Sequence, residues 1–190
     1  MTQLIAGLIL FFGTHSIAIV SPGTRDALAA RLGPQVWRVV YSLVSLAGFV
    51  LIVRGYAAAR LDPQVIYVPP AFMRHVTALL MLPVFPLLLA SYLPGRIKTA
   101  TKHPMLAATK AWALAHLLAN GMLADVLLFG GFLTWAVLDR ISLGKRPPKV
   151  LPVAPPSKYN DAIAIVGGLV LYGVFVMWAH ARLFGVSPLS

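Results

Sequence analysis

The sequence predicts an all-α, polytopic transmembrane helix bundle of about six spans. Three observations carry that prediction. The 190-residue chain is 59% hydrophobic and only 11% charged, against about 25% charged in a soluble domain. Its mean hydropathy is +0.82, concentrated in runs long enough to cross a bilayer. Its 16 basic residues lie mainly between those runs, as loop residues of membrane proteins do.

The first span is expected at about Leu4–Val20, free of charge and closed by Pro22-Gly23. With no basic stretch before it and no clear cleavage site after it, it reads as a retained span, not a signal peptide. DALAARLG is expected to lie at the interface as a short helix closed by Gly33. The second span covers about Val36–Ala59, with Trp37, Tyr41 and Tyr56 placed as interface anchors. Residues 59–75 carry Pro63, Pro69 and Pro70 and read as a loop.

The third span, about Met73–Leu93, contains Pro83 and Pro86 and should kink. RIKTATK is expected to be a basic loop. The fourth span starts at Pro104, a favourable first helical residue, and ends at Asn120-Gly121. The fifth covers about Met122–Leu138. From Asp139 to Lys158 the chain turns proline-rich and basic, with the linker proper at about 143–159. Asn160 or Asp161 is expected to cap the last span, about 162–184. The whole of 1–190 reads as one integral membrane domain.

Residues 111–138 could instead form one long helix, giving five spans. Charge favours a short hairpin turning at Asn120-Gly121. With six spans, Arg25, Arg31, Arg38, Arg96, Lys98, Lys102, Lys110, Arg140, Lys145, Arg146, Lys149 and Lys158 share one side. Arg54, Arg60, Arg74 and Arg182 take the other. That is a positive-inside pattern with both termini outside the cytoplasm.

The net charge of +11 does not point to nucleic acid, because the basic residues lack the water-facing context such binding needs. Absence of cysteine excludes disulfides, thiolate ligands and cysteine nucleophiles. No phosphate-binding glycine loop, HExxH or helically spaced carboxylate pair occurs. Gly130-Gly131 and Gly167-Gly168 suit close helix packing. Trp112, Trp135 and Trp178 fit interface or packing roles better than cofactor stacking.

Chemistry therefore falls to histidine. His75, His103 and His180 sit at span ends, where a hydrogen-bonded interface role suffices. His15, in the polar patch Gly13-Thr14-His15-Ser16, and His116 lie deeper, where a ligand or proton-transfer role is the expectation. His103 and His116 are about 20 Å apart along one helix and cannot share a metal. The inferred depths of His15 and His116 differ by roughly 10 Å. That is too much for a compact zinc site and admits two imidazoles on opposite faces of one haem iron. Asp125 could orient His116 through its second ring nitrogen, or be a solvated turn residue. Lys110 and Arg54 could snorkel to the surface or meet an anion such as a haem propionate.

FFGTHS, RLGPQVWRVVYSLVS, YLPGRIKTATKHPML, WALAHLLANG and the following LLFG resemble the NnrU family over roughly residues 1–140. The resemblance implies a multi-pass protein of the bacterial cytoplasmic (inner) membrane, associated with denitrification and nitric oxide metabolism. Its implied partners are the lipid bilayer and nitrogen-oxide reductase machinery. The same domain is similar to plant zeta-carotene isomerase, which uses haem b to isomerise a carbon–carbon double bond. That similarity implies haem b held by His15 and His116, with His103 as the histidine of the HP motif. This chain departs from the isomerase in having Ala113 three residues before His116 and no histidine late in the fifth span. A haem-dependent isomerase of a carotenoid-like polyene is thus one alternative function. A small histidine-lined transporter is another, although few polar residues line the second, third and sixth spans.

Overall fold

The computed structural model describes residues 1–146 and 153–188. Its helices are α1 Thr2–Val20, α2 Pro22–Leu32, α3 Pro34–Ala59, α4 Met73–Met81, α5 Val84–Ala90, α6 Arg96–Thr101, α7 Pro104–Ala119, α8 Leu123–Leu143, α9 Asn160–Val174 and α10 His180–Phe184. A π-helical turn, Phe175–Ala179, joins α9 to α10. Among the described residues the only β feature is an isolated bridge, Val65 to Met122.

Five helical stretches are long and apolar enough to cross a membrane: Thr2–Val20, Pro34–Ala59, Met73–Ala90, Leu123–Leu143 and Asn160–Phe184. The sixth expected span, α7, has only 16 residues, about 24 Å of rise. Many large apolar side chains face outward, Leu43 at 60% and Val170 at 60% exposure among them. The buried positions are dominated by small residues, including Ala59, Ala90, Ala108, Ala115, Ala136 and Ala164. Lipid-facing leucine around a small-residue interior is how helices pack in hydrocarbon, where close contact replaces the hydrophobic effect.

The chain forms two compact units: Met1–Tyr67 with Met122–Pro147, and Val68–Gly121 with Pro148–Ser190. In the first unit α1 and α3 run antiparallel in backbone contact. A Cβ on Gly7 would meet the Ile52 nitrogen at 2.6 Å, one on Gly48 the Phe11 nitrogen at 2.9 Å, and one on Gly55 the Leu4 backbone. α8 runs parallel to α1. Phe12 packs on Phe132, His15 on Trp135 further along, and at the other end Tyr56 meets Asp125.

That parallel pairing bears on the hairpin expected at Asn120-Gly121. A single helix over 111–138 would run against α1, and it is not formed. α7 ends at Ala119 and a new helix begins at Leu123. α4–α5 and α7 lie between α3 and α8 in sequence. The chain re-enters the first unit at the end where it left, with Leu123 N–H donating to the Gln64 carbonyl at 2.8 Å.

In the second unit α9 runs antiparallel to α4–α5. A Cβ on Gly168 would overlap the Pro86 backbone, and one on Gly167 would press on Leu89 at 3.2 Å. In the other expected pair, a Cβ on Gly131 would meet the Phe12 ring at 2.9 Å, while one on Gly130 would meet nothing.

The expected kink lies at Leu82-Pro83, between α4 and α5. Proline has no N–H, so the Leu79 carbonyl loses its usual partner; Leu82 N–H bonds it instead at 3.2 Å. The Ala78 carbonyl, deprived of Leu82, accepts the Tyr172 hydroxyl at 3.0 Å. This is a neighbouring helix re-satisfying a broken ladder.

Three expectations need correction. RIKTATK is helical, as α6, because its first amides have a remote cap. Asp161 accepts from Arg96 N–H at 2.8 Å and Ile97 N–H at 3.1 Å. Asp161 therefore caps α6, and Asn160 donates to the Pro94 and Pro155 carbonyls, so neither side chain caps the last span. The fifth span extends to Leu143, because Asp139 is ion-paired with Arg146 and need not leave the helix. Of the expected linker, residues 147–152 lie outside the described residues.

Gly55→Leu should disrupt the α1–α3 contact, with an overpacking cost of about 1–3 kcal/mol or more. Thermal melting in detergent should show a clear drop in midpoint. Gly13→Leu, at a site where a Cβ meets nothing, should leave it nearly unchanged.

Candidate functional site

His15 lies on α1, one helical turn past Phe11. Its Nδ1 is 2.8 Å from the Phe11 carbonyl. A carbonyl only accepts, so Nδ1 carries the proton, and in the neutral ring the lone pair sits on Nε2. The imidazole stacks on Phe11 with centroids 4.1 Å apart. Tyr41 of α3 lies at 5.4 Å and the Trp135 indole of α8 stands edge-on at 6.0 Å. Three helices thus fix one half-buried histidine among aromatic rings.

His116 repeats the device on α7. Its Nδ1 lies 2.8 Å from the Trp112 carbonyl, and the two rings are 5.4 Å apart. Asn120 closes the same turn, donating from Nδ2 to the His116 carbonyl at 2.9 Å. Adjacent to this turn, Thr77 of α4 donates to the Ala115 carbonyl at 2.9 Å, fixing the register of α7.

His103 is the N-cap of α7. The preceding Lys102 has φ +59°, the sole non-glycine residue with positive φ among those described, which is a strained conformation for an L-residue. The α6–α7 corner therefore holds backbone strain beside His103. His103 and His116 stand at opposite ends of α7, with the half-buried Lys110 between them.

Asp125 is only 2% exposed. Its Oδ1 accepts the Tyr56 hydroxyl at 2.5 Å and its Oδ2 accepts the Met122 N–H at 3.0 Å. It is thus not a solvated turn residue. It caps α8 and ties it to α3. Tyr67, in the loop outside the spans, has its phenol held above the usual tyrosine range by burial and then by the charge of Asp125. Along α8 Asp125 precedes Trp135 by ten residues, so it stands about 15 Å from the level of His15.

The first unit also holds an open groove of about 400 Å³ along α1 and α8. It is lined by Phe12, Ser16, Val126, Leu127, Gly130, Gly131, Thr134, Trp135 and Leu138. Among the described residues no three metal-ligating side chains cluster. Two histidines with aromatic rings beside them, His15 and His116, remain the donors of interest. A family model described as NnrU protein matches residues 3–188.

The chain belongs to the NnrU family. Its family likeness therefore extends past residue 140 and through the last span. No curated protein and no solved structure matches this NnrU-family chain.

The residues foreseen from sequence divide between the units. His15 and Asp125 belong to the first, and His103, Lys110 and His116 to the second. Sequence reasoning missed Tyr56 as the partner of Asp125, having taken it for an interface anchor. The cue was present: an acid three residues past a turn suggests a cap, and a capped, buried acid asks for a second donor.

Tyr56→Phe removes a hydrogen bond to a buried carboxylate. It should lower stability by about 1.5–3 kcal/mol, read as a reduced melting midpoint in detergent. The His15-dependent properties should be unchanged, given the axial distance.

Proposed function

We propose that this NnrU-family protein is a haem b-binding protein of the bacterial inner membrane that serves denitrification and nitric oxide metabolism, working beside nitrogen-oxide reductase machinery. The carrying observation is the matched pair of imidazoles. In both His15 and His116 the Nδ1 proton is engaged by a carbonyl one turn back, at 2.8 Å in each case. This tie orients the ring and leaves the lone pair on Nε2, as a histidine that ligates a metal requires.

The donor chemistry fits haem. Neutral imidazoles are ordinary axial ligands to haem iron, and Phe11, Tyr41 and Trp135 around His15 and Trp112 beside His116 offer apolar flat surfaces to a porphyrin. His15 and His116 would hold the iron. Lys110 would meet a propionate, His103 would keep the HP-motif corner beside it, and Asp125 would act at longer range through the α8 start. When bound, the group would supply a one-electron centre or a site for a small nitrogen oxide. The polypeptide contributes orientation of its two rings and exclusion of water by the surrounding aromatics.

The isomerase alternative has less support in this chain. Ala113 is fully buried in α7 and α8 carries no histidine.

Protein purified from haem-replete cells should show a Soret band and a reduced-minus-oxidised spectrum of b type. His15→Ala and His116→Ala should each lose or shift it, while His75→Ala should not. A colourless preparation, or a band indifferent to both changes, would refute the assignment.

A further inference from the structure

The α1–α8 groove contains two hydroxyls that do not bond back to their own helix. Thr14, Ser91, Thr99, Thr101 and Thr109 each turn back to bond the carbonyl four residues earlier, at 2.7–3.0 Å. That is how a helix hides a hydroxyl from hydrocarbon. Ser16 and Thr134 line the groove and make no hydrogen bond with any described residue. Within a bilayer such a group costs free energy unless something accepts or donates to it.

The rest of the groove is apolar and includes aromatic faces, Phe12 and Trp135. Gly130 opens it, because a Cβ there would meet nothing within 4 Å. Thr134 and Leu138 are exposed, so the groove opens laterally to whatever surrounds the span. We infer that this groove binds a lipid-soluble carbonyl compound of the quinone class. The Ser16 and Thr134 hydroxyls donate to a carbonyl oxygen, and the Phe12 and Trp135 rings lie against the flat ring. A hydrocarbon chain would fill the apolar part equally well but leave both hydroxyls unpaired. A second copy of this helix pair would use Gly130 and Gly131 as a packing surface. Neither accounts for the hydroxyls. The groove shares Trp135 with the surroundings of His15, but its test needs no iron.

The purified protein in detergent is titrated with decylubiquinone, and quenching of tryptophan fluorescence is followed. Saturable quenching is expected, and a tenfold excess of decylbenzene, which lacks the carbonyl oxygens, should not displace it. Ser16→Ala combined with Thr134→Val should weaken binding at least tenfold. Gly130→Leu, which fills the groove where no packing contact is lost, should abolish saturation while the melting midpoint is kept. Non-saturable quenching that is equal in wild type and Gly130→Leu would overturn the proposal. Displacement by decylbenzene would do the same and mark a site for hydrocarbon tails. A shift of Gly130→Leu from a larger to a smaller species on gel filtration would assign the groove to a second copy instead.

Discussion

In hydrocarbon a polar group has no water to fall back on, and this constraint explains most of what is irregular in the chain. The proline break at Leu82-Pro83 leaves the Ala78 carbonyl without its helical partner, and Tyr172 supplies one from α9. The α8 start has a buried carboxylate and receives Tyr56 and a backbone N–H. His15 and His116 each turn one ring nitrogen to a carbonyl of their own helix. Every one of these arrangements satisfies a group that would otherwise be costly. The imidazoles differ in that the same bond also leaves the ring's lone pair on Nε2.

Close packing supplies the second constraint. Hydrophobic burial does not drive helices together in lipid, so contact must come from shape. Gly7, Gly48 and Gly55 bring α1 and α3 to backbone contact, and that contact holds Phe11, His15 and Tyr41 in one aromatic group. Gly168 does the same for α9 against Pro86. The fold is thus built from small residues inside and large ones outside, an inversion of the soluble pattern. The exposure of Leu43 and Val170 is a consequence of it.

Much of the fold was legible in the sequence because runs of apolar residues and their punctuation are local. Pro34 and Pro104 open helices, Gly33 closes one with φ +82°, and Asn120-Gly121 separates α7 from α8. What was not legible depended on partners distant in sequence. Asp161 looked like a cap for its own helix and caps α6, 64 or more residues away. RIKTATK looked like a loop because that remote cap is invisible to local reading. Gly7, Gly48 and Gly55 carried no doublet to attract notice, whereas Gly130, half of a doublet, touches nothing. At the site, His15 and His116 were legible as histidines deep in apolar helices. The carbonyl that fixes each ring required coordinates, as did the role of Tyr56.

The central proposal is that His15 and His116 ligate haem iron. Electron paramagnetic resonance of the oxidised protein tests it most directly, in wild type and in His15→Gly and His116→Gly supplemented with imidazole. The account predicts a low-spin signal in wild type, a high-spin signal in each variant, and return of the low-spin signal when imidazole replaces the missing ring. A wild-type signal that survives both substitutions, or no haem signal at all, would contradict it.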